Sequence, residues 1–388
     1  MPPKPVFERS EYLGRAANVR RYMIRERIDG ILLTGGPNLT YLSGYPSPLR
    51  SYARPFVFIL PLEGEPTFIV HTGREFEARV YSWTPDVRTY ATLSNAPVDE
   101  IERALRDHGL ASARIGVEIG AEQTLDLPAN GLDELRGRLP TVEFVDVGPV
   151  LWPARLRKSP AEIALIRRSC LITSEAHQRT FTTARSGMTE AEIARIMMTA
   201  TIDLGGGAPF VLITSGDGNY DYVSKGPSDR RIDAGDLVWI DSGCPVGGYW
   251  SDFSRAGVVG GPSAEQTEAQ AAIVEITRMG VGLVHPGARV ADIARACNEA
   301  VSGLGLPVTS SVSGLAARVG HGMGLATTEP PSVAEDDETV FEPGMVITIE
   351  PGVATAFGTF HAEENVLVTI DGCEMLSTAP RDLYTIRL

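Results

Sequence analysis

The sequence predicts two domains, an α/β domain over residues 1–154 and an α+β domain over residues 155–388. The chain has 388 residues, 43% of them hydrophobic, which is enough for two separate cores. Helix and strand patterns are mixed over the first part, as in an α/β domain. A Trp-Pro pair and the basic run Arg155-Leu-Arg-Lys158 then mark a boundary, and residues 344–388 are rich in strand patterns.

The first domain opens with a helix, because apolar residues recur at helical spacing over residues 9–27. Strand patterns follow at 30–34, 56–60 and 67–70, and a Glu-Gly-Glu turn joins the last two as a hairpin. Helices are predicted over 73–81 and 98–109, and later strands over 114–118 and 142–146.

The second domain opens with a long helix, and three residues predict where it starts. Ser159 is the expected N-cap, Pro160 suits the first helical position, and Glu162 completes a capping box. Thr189 and Glu192 repeat this capping pattern for a second helix. Two more helices, near 264–280 and 289–303, alternate with strand pairs, which predicts an α+β domain.

Composition excludes several classes of partner and site. A formal net charge of −14 argues against binding to nucleic acid or to an anionic membrane. The four cysteines are scattered without a C-x-x-C pair, so neither a disulfide framework nor a zinc ribbon is indicated. The N-terminus lacks the apolar stretch of a signal peptide, and no apolar run is long enough to span a membrane. We therefore expect a cytoplasmic protein.

The chemistry is predicted in the second domain, around Asp241 and Asp252. The apolar run Leu237–Ile240 predicts a buried strand that ends on Asp241. A turn rich in glycine follows, and the returning strand brings Asp252 eleven residues after the first aspartate. Two carboxylates side by side inside a protein repel each other and lose hydration, so a positive charge should lie between them.

Three further residues complete the pattern. His321 lies between glycines in Gly320-His-Gly-Met-Gly324, Glu350 closes an apolar strand, and Glu363 opens another. Singly, such residues are usually turn formers, solvated strand ends or loop histidines. Together, four carboxylates and one histidine form the oxygen-rich set expected for two divalent ions, of manganese, iron, cobalt or zinc.

The order of these residues resembles the pita-bread metallopeptidase family, which includes methionine aminopeptidase, Xaa-Pro aminopeptidase, prolidase and creatinase. The motifs are G-H-G-x-G, I-E-P-G and E-E-N-V-L-V-T, and the resemblance covers about residues 156–388. Residues 7–12 and 38–44 are similar to the creatinase/prolidase N-terminal domain. The resemblance implies that domain followed by a pita-bread catalytic domain, and a homodimer. The two-domain layout favours the Xaa-Pro and creatinase branch.

The resemblance also implies a role for each residue. Asp241 would chelate the first metal, and His321 would bind the second with Glu350 beside it. Asp252 and Glu363 would bridge the two ions. A water between the metals would be the nucleophile, and Glu350 would shuttle its proton. Creatinase lacks this full metal set, so the intact set argues against creatinase itself.

Three positions near the substrate depart from the family pattern. Ser224, seventeen residues before Asp241, and Thr328, seven residues after His321, each stand where peptidases of this branch have a histidine. His361 stands where an arginine usually precedes the last glutamate by two residues. Intact metal ligands with an altered substrate shell predict that the chemistry is kept and the substrate has changed.

Substitutes for the missing groups are predicted nearby. Tyr220 and Tyr222 could donate to an oxyanion, although a turn with surface aromatics is the ordinary interpretation. His361 could stand in for the arginine or support a metal-binding carboxylate. In the first domain, Arg50 or Arg54 could hold a substrate carboxylate, where a solvated loop is the ordinary interpretation.

Three functions remain open from the sequence. The first is a metal-dependent hydrolase that cleaves a C–N bond in an Xaa-Pro dipeptide, or in a small non-peptide amide or cyclic amidine. The second is a lyase acting on a small carboxylate, similar to dimethylsulfoniopropionate lyase. Those lyases carry an extra Asp where this chain has Gly243, which disfavours them. The third is a non-catalytic binding module, but such relatives have lost metal ligands that this chain keeps. The hydrolase is favoured, with a small molecule or short peptide as its substrate.

Overall fold

The computed structural model describes residues 5–46 and 54–388, and Arg50 lies outside them. The chain forms two compact units that divide between Arg155 and Leu156. The division lies one residue from the boundary predicted by the sequence. Within the described residues, no helix is both long and apolar enough to cross a membrane.

The first unit is built on a six-stranded mixed sheet accompanied by helices. The helices are α1 (Arg9–Glu26), α2 (Gly36–Ser43), α3 (Glu75–Tyr81), α4 (Val98–Asp107), α5 (Ala129–Arg138) and α6 (Gly148–Leu156), with a short 3-10 turn at Thr72–Arg74. The strands are β1 (Gly30–Leu33), β2 (Val57–Pro61), β3 (Thr67–His71), β4 (Asp86–Tyr90), β5 (Arg114–Val117) and β6 (Glu143–Asp146). Their spatial order is β4-β3-β2-β1-β5-β6, with β1 antiparallel to β2 and parallel to β5.

The elements that the sequence missed in this unit have weak local signals. Helix α2 is only eight residues long and contains Pro37. Strand β4 buries only Val87 and Tyr90, and polar residues surround them. By contrast, β1 and β2 are buried along their whole length, so their continuous apolar runs are easy to recognise.

The second unit begins with the predicted helices. They are α7 (Pro160–Thr183), α8 (Glu190–Asp203), α9 (Ala264–Gly282) and α10 (Val290–Ser302). The short helix α11 (Val312–Ala316) was not predicted. Both predicted capping boxes are present, at Ser159 with Glu162 and at Thr189 with Glu192. A third box, Ser263 with Gln266, caps α9 and was not predicted.

Four small sheets make up the rest of the second unit. Their strands are β7 (Phe210–Ser215), β8 (Leu237–Gly243), β9 (Pro245–Val246), β10 (Tyr249–Trp250), β11 (Phe253–Val259), β12 (Val308–Ser311), β13 (His321–Gly322), β14 (Glu329–Ser332), β15 (Val346–Ile349), β16 (Gly352–Thr355), β17 (Gly358–His361), β18 (Glu364–Val368), β19 (Cys373–Met375) and β20 (Tyr384–Ile386). The sheets have the orders β20-β11-β8-β7, β10-β9, β12-β16-β17 and β14-β13-β15-β18-β19.

Strand β8 differs from the prediction at its end. It continues through Asp241 to Gly243, because β11 and β7 pair with it on both sides. Asp241 therefore lies within the sheet, opposite Ser254 of β11 and Leu212 of β7. Asp252 comes immediately before β11, so the hairpin does bring the two aspartates close together.

The glycines beside His321 are needed for close packing of three strands. A Cβ added at Gly320 would lie 2.1 Å from the Thr348 carbonyl oxygen. A Cβ added at Gly322 would lie 2.1 Å from the Pro330 carbonyl oxygen. Only glycine permits backbones to approach this closely. His321 is thereby held between β14 and β15, in the same sheet as the strand that precedes Glu350.

Candidate metal centre and its cavity

Five predicted residues are placed by strand ends and strand pairing around one cavity of about 430 Å³. The cavity is lined by the four carboxylates and the histidine of the predicted set, Asp241, Asp252, His321, Glu350 and Glu363, and by His361. Asp241 and Asp252 come from the β8–β11 hairpin. The others come from β13 and from the ends of β15, β17 and β18. Sequence positions more than a hundred residues apart therefore meet because the sheets bring these strand ends together.

Two groups of possible ligand atoms share one glutamate. The ligand atoms of Asp252, His321 and Glu363 lie within 4.8 Å of one another, and so do those of Glu350, His361 and Glu363. His321 Nε2 is 3.8 Å from Asp252 Oδ2 and 3.6 Å from Glu350 Oε1. Asp241 belongs to neither group, but its carboxyl group lies close enough to that of Asp252 for the two to interact electrostatically. A carboxylate that bridges two ions must be able to reach both of them, and Glu363 belongs to both groups.

Burial dominates the electrostatics of the centre. It raises the pKa of Asp241 to about 7 and that of Glu350 to about 8. Burial is the larger cause and repulsion from neighbouring carboxylates the smaller; together they raise the pKa of Asp252 and Glu363 well above their ordinary values. Burial also lowers the pKa of His321 to about 4, so its ring is neutral at neutral pH and can act as a ligand.

The donor set fits divalent ions. Asp241 Oδ1 and both carboxylate oxygens of Glu363 are buried without a hydrogen-bond partner among residues 5–46 and 54–388. An ionised carboxylate buried without a partner is strongly unfavourable, whereas coordination of a cation satisfies its oxygens. Four carboxylates and an imidazole balance two divalent charges, so the residues present are suited to the ions that the sequence predicts.

His361 lies among these side chains and is only 3% exposed. Its Nδ1 is 2.8 Å from Ser254 Oγ, and its ring packs edge-on against Trp239. Its Nε2 points towards Glu350, 3.7 Å from Oε2. Burial lowers the pKa of His361 to about 4, so this neutral ring does not replace the positive charge of an arginine.

Ser224 and Thr328 both line the cavity, as does Thr327. Two small hydroxyl side chains thus occupy the wall where the family pattern has histidines. Phe210 and Leu212 add an apolar surface. The wall provides space and short hydroxyl groups instead of imidazole donors.

Arg318 lines the same cavity and was missed by the sequence reasoning. Its Nε is 4.0 Å from Glu350 Oε1, and its side chain is 25% exposed. No hydrogen bond holds its guanidinium to another described residue. Arg318 lies only three residues before His321 in the sequence, but a lone arginine outside any motif gives no signal of its role.

Tyr220 and Tyr222 do not line the cavity, so the prediction that they serve as oxyanion donors is corrected. Tyr220 is 4% exposed and packs in the hydrophobic core of this unit, where its hydroxyl accepts a hydrogen bond from the Leu237 N–H. Tyr222 points away into solvent and is 58% exposed. Only the residues that follow them, Val223 and Ser224, reach the cavity.

Two buried side chains hold the ligand backbones in place, and the sequence reasoning did not single them out. Asn365 Oδ1 accepts a hydrogen bond from the Asp252 N–H at 3.0 Å, and its Nδ2 donates to the Asp252 carbonyl. Arg255 is 1% exposed and donates to the Glu363 carbonyl at 2.8 Å and to the Glu364 carboxylate at 3.0 Å. Fixing both backbones fixes the distance between the two predicted bridging carboxylates.

Family comparison agrees with this geometry. Residues 164–370 match the model of metallopeptidase family M24, and residues 15–157 match the creatinase/prolidase N-terminal domain. The chain belongs to metallopeptidase family M24. The predicted fold class, a creatinase/prolidase-like N-terminal domain followed by a pita-bread catalytic domain, is therefore confirmed. The family is one of hydrolases that use divalent metal ions.

Individual M24 relatives match over nearly the whole chain. The Xaa-Pro dipeptidase of Pyrococcus horikoshii is 30% identical, over 95% of this chain and 98% of its own length. The ectoine hydrolase of Halomonas elongata is 28% identical, over 97% of this chain and 98% of its own length. Among solved structures, dipeptidase PepE from Mycobacterium ulcerans has a TM-score of 0.83 and is 25% identical, covering 98% of this chain and all of that one.

Proposed function

We propose that this protein is a dinuclear metal-dependent hydrolase that cleaves an amide-type C–N bond in a small molecule carrying a carboxylate. One observation supports this function above others. A single cavity joins the complete set of M24-type ligands to a wall in which Ser224 and Thr328 stand in place of histidines. The named activities of the two relatives, on Xaa-Pro dipeptides and on ectoine, span peptide and non-peptide substrates.

Divalent ions at this centre would polarise the carbonyl or amidine carbon of the substrate and make water acidic enough to attack near neutral pH. The protein's own groups then have two tasks. Glu350, whose side chain is 16% exposed against 9% for Asp252, would take up the proton of the attacking water. The same carboxyl group can return that proton to the leaving nitrogen.

Arg318 supports the choice of a carboxylate-bearing substrate. Its guanidinium lines the cavity without a hydrogen bond to any described residue, so its planar donors are available to a ligand. Guanidinium groups bind carboxylates through two parallel hydrogen bonds. With the ligand carboxylates neutralised by two ions, Arg318 would be the uncompensated charge of the cavity, and an anionic substrate would be favoured.

A substrate panel on metal-loaded protein tests the function. It contains Xaa-Pro dipeptides, longer Xaa-Pro peptides, ectoine, creatine and a sulfonium acid, and each carboxylate substrate is paired with its carboxamide. We expect C–N cleavage of a small non-peptide or cyclic substrate, faster for the carboxylate member of a pair. Robust turnover of Xaa-Pro dipeptides would contradict the altered substrate shell, and absence of any C–N cleavage would contradict the hydrolase.

The lyase alternative is opposed by the shape of the β8–β11 hairpin. A relative of dimethylsulfoniopropionate lyase would need an aspartate at position 243, but a Cβ added at Gly243 would lie 1.8 Å from the Ser251 carbonyl oxygen. The backbone here leaves no room for any side chain. Release of an alkene from the sulfonium acid would nevertheless favour the lyase.

A non-catalytic binding module is opposed by the ligand set itself, since all five predicted metal ligands are present and lie together. Elemental analysis that finds no metal in the purified protein would favour that alternative. The homodimer, the small-molecule or short-peptide partner and the identity of the metals stay predictions.

A further inference from the structure

Three positions depart from the family pattern, and one of them, His361, lies among the candidate metal-binding side chains. Two neighbours fix its ring. Ser254 contacts Nδ1, and the Trp239 ring packs edge-to-face against it with 5.6 Å between the two ring centroids. It is 3% exposed, so water does not compete for its nitrogen atoms. A buried imidazole held this firmly has a defined tautomer and a defined direction for its second nitrogen.

The hydrogen bonds of Ser254 decide the tautomer. Ser254 Oγ is 2.8 Å from the His361 carbonyl oxygen, which can only accept, so the single hydroxyl proton is donated there. The Glu363 N–H donates to the same Oγ at 3.3 Å. At the 2.8 Å contact with His361 Nδ1, the ring must therefore be the donor. The proton lies on Nδ1, and Nε2 carries a lone pair.

That lone pair faces a carboxylate instead of a hydrogen-bond donor. His361 Nε2 is 3.7 Å from Glu350 Oε2 and has no hydrogen-bond partner among the described residues. One ligand atom each of His361, Glu350 and Glu363 lie within 4.8 Å of one another. Atoms that each lie about 2.0–2.2 Å from one ion at tetrahedral angles are about 3.4 Å apart. The contact has the spacing of two ligands on a shared ion.

We propose that His361 is itself a metal ligand, binding one of the two ions together with Glu350 and Glu363. This rests on the dinuclear centre proposed above and adds a sixth ligand to it. His321 Nε2 lies 3.6 Å from the other Glu350 oxygen, Oε1, so the centre would hold two imidazoles in all. Imidazole suits zinc, iron and cobalt better than manganese, and the substitution of arginine by histidine would shift the metal preference accordingly.

The test compares His361→Gln with the matched cavity-wall variant Thr328→Val, in the full-length protein. Zinc and manganese affinities are measured by chelator competition, and the coordination sphere by the visible spectrum of the cobalt-loaded protein. Loss of a ligand should weaken zinc binding at one of the two sites by about tenfold or more, and manganese binding by less. The cobalt spectrum should change in His361→Gln and stay the same in Thr328→Val.

A measurement on the unaltered protein keeps the test independent of folding of the variant. X-ray absorption of the zinc-loaded protein should show two imidazoles for each pair of ions. One imidazole per pair, or unchanged zinc affinity and cobalt spectrum in a folded His361→Gln, would overturn the role of His361 while leaving the dinuclear centre standing. Failure of the unaltered protein to bind two ions would overturn the centre, and this role with it.

Discussion

Asp252 is the residue on which the metal centre depends most at the scale of single side chains. It contacts His321, lies beside the carboxyl group of Asp241, and is held through its own backbone by Asn365. Removing its carboxylate takes away the ligand predicted to bridge both ions. We expect Asp252→Ala to lose both bound metals and all turnover, measured by elemental analysis and by the assay for the substrate identified in the panel.

The matched control for Asp252→Ala is Thr328→His, which lies in the same cavity but among no ligand group. It restores the histidine of the family pattern, so it should keep both metals and change only substrate preference. If Asp252→Ala still bound two metals, the bridging role would be wrong.

The sequence predicted which carboxylates and which histidine meet in the cavity better than it predicted the residues around them, for a physical reason. Each ligand borders an apolar strand or a glycine pair, which leaves a local signal. Arg318 has no such signal, since its proximity to Glu350 arises from the pairing of β13 with β15. The prediction for Tyr220 was wrong for the opposite reason. Its loop-like sequence gave no sign that the hydrophobic core would bury its side chain.

At the scale of elements, the hairpin formed by β8 and β11 fixes the distance between the first two aspartates. Its turn side is packed so closely that a Cβ added at Gly243 would collide with Ser251 backbone atoms and the ring of Phe210. The apolar run predicted β8, but not its continuation past Asp241. That continuation depends on β7, which pairs with residues 238–243 across the intervening residues 216–236.

We therefore expect Gly243→Ala to destabilise the second unit. The added Cβ would lie 1.8 Å from the Ser251 carbonyl oxygen, and the N–H of Ser251 is itself hydrogen-bonded to the Cys244 carbonyl. Overpacking of this kind costs about 1–3 kcal/mol or more. Urea denaturation measures the loss. Gly282→Ala is the control, since a Cβ there meets nothing within 4 Å, and it should change stability little. Equal stabilities of the two variants would show that the hairpin can relax.

Helix starts were predicted well at this scale because a capping box is a contact between residues three apart. Ser159 with Glu162 and Thr189 with Glu192 form the expected reciprocal hydrogen bonds. Strands such as β4 owe their existence to a neighbour, here the parallel β3, and a short polar sequence does not reveal that neighbour.

At the scale of the whole molecule, each unit has its own core and buries ionisable side chains. In the first unit one of these is Glu118, 2% exposed at the end of β5. It accepts hydrogen bonds from the Thr34 N–H at 2.9 Å and from Asn38 Nδ2 at 2.8 Å. Burial outweighs these bonds and raises the pKa of Glu118 to about 7, from an ordinary 4.5. The folded protein thus holds a proton that the unfolded chain releases.

The consequence is a pH dependence of stability that belongs to the first unit. Between pH 4.5 and about 7 the folded state binds more protons at Glu118 than the unfolded state, so the contribution of Glu118 to the free energy of unfolding falls as pH rises. The full difference is about 3 kcal/mol, from about 1.4 kcal/mol per pKa unit.

The variant Glu118→Gln tests this, because its side chain is neutral at every pH. In urea denaturation from pH 5 to 8, its free energy of unfolding should fall less with pH than that of the unaltered protein. Glu143→Gln, 67% exposed, should keep the original slope. Parallel pH profiles for Glu118→Gln and the unaltered protein would mean that Glu118 is ionised in the folded state, held by its hydrogen bonds from Thr34 and Asn38.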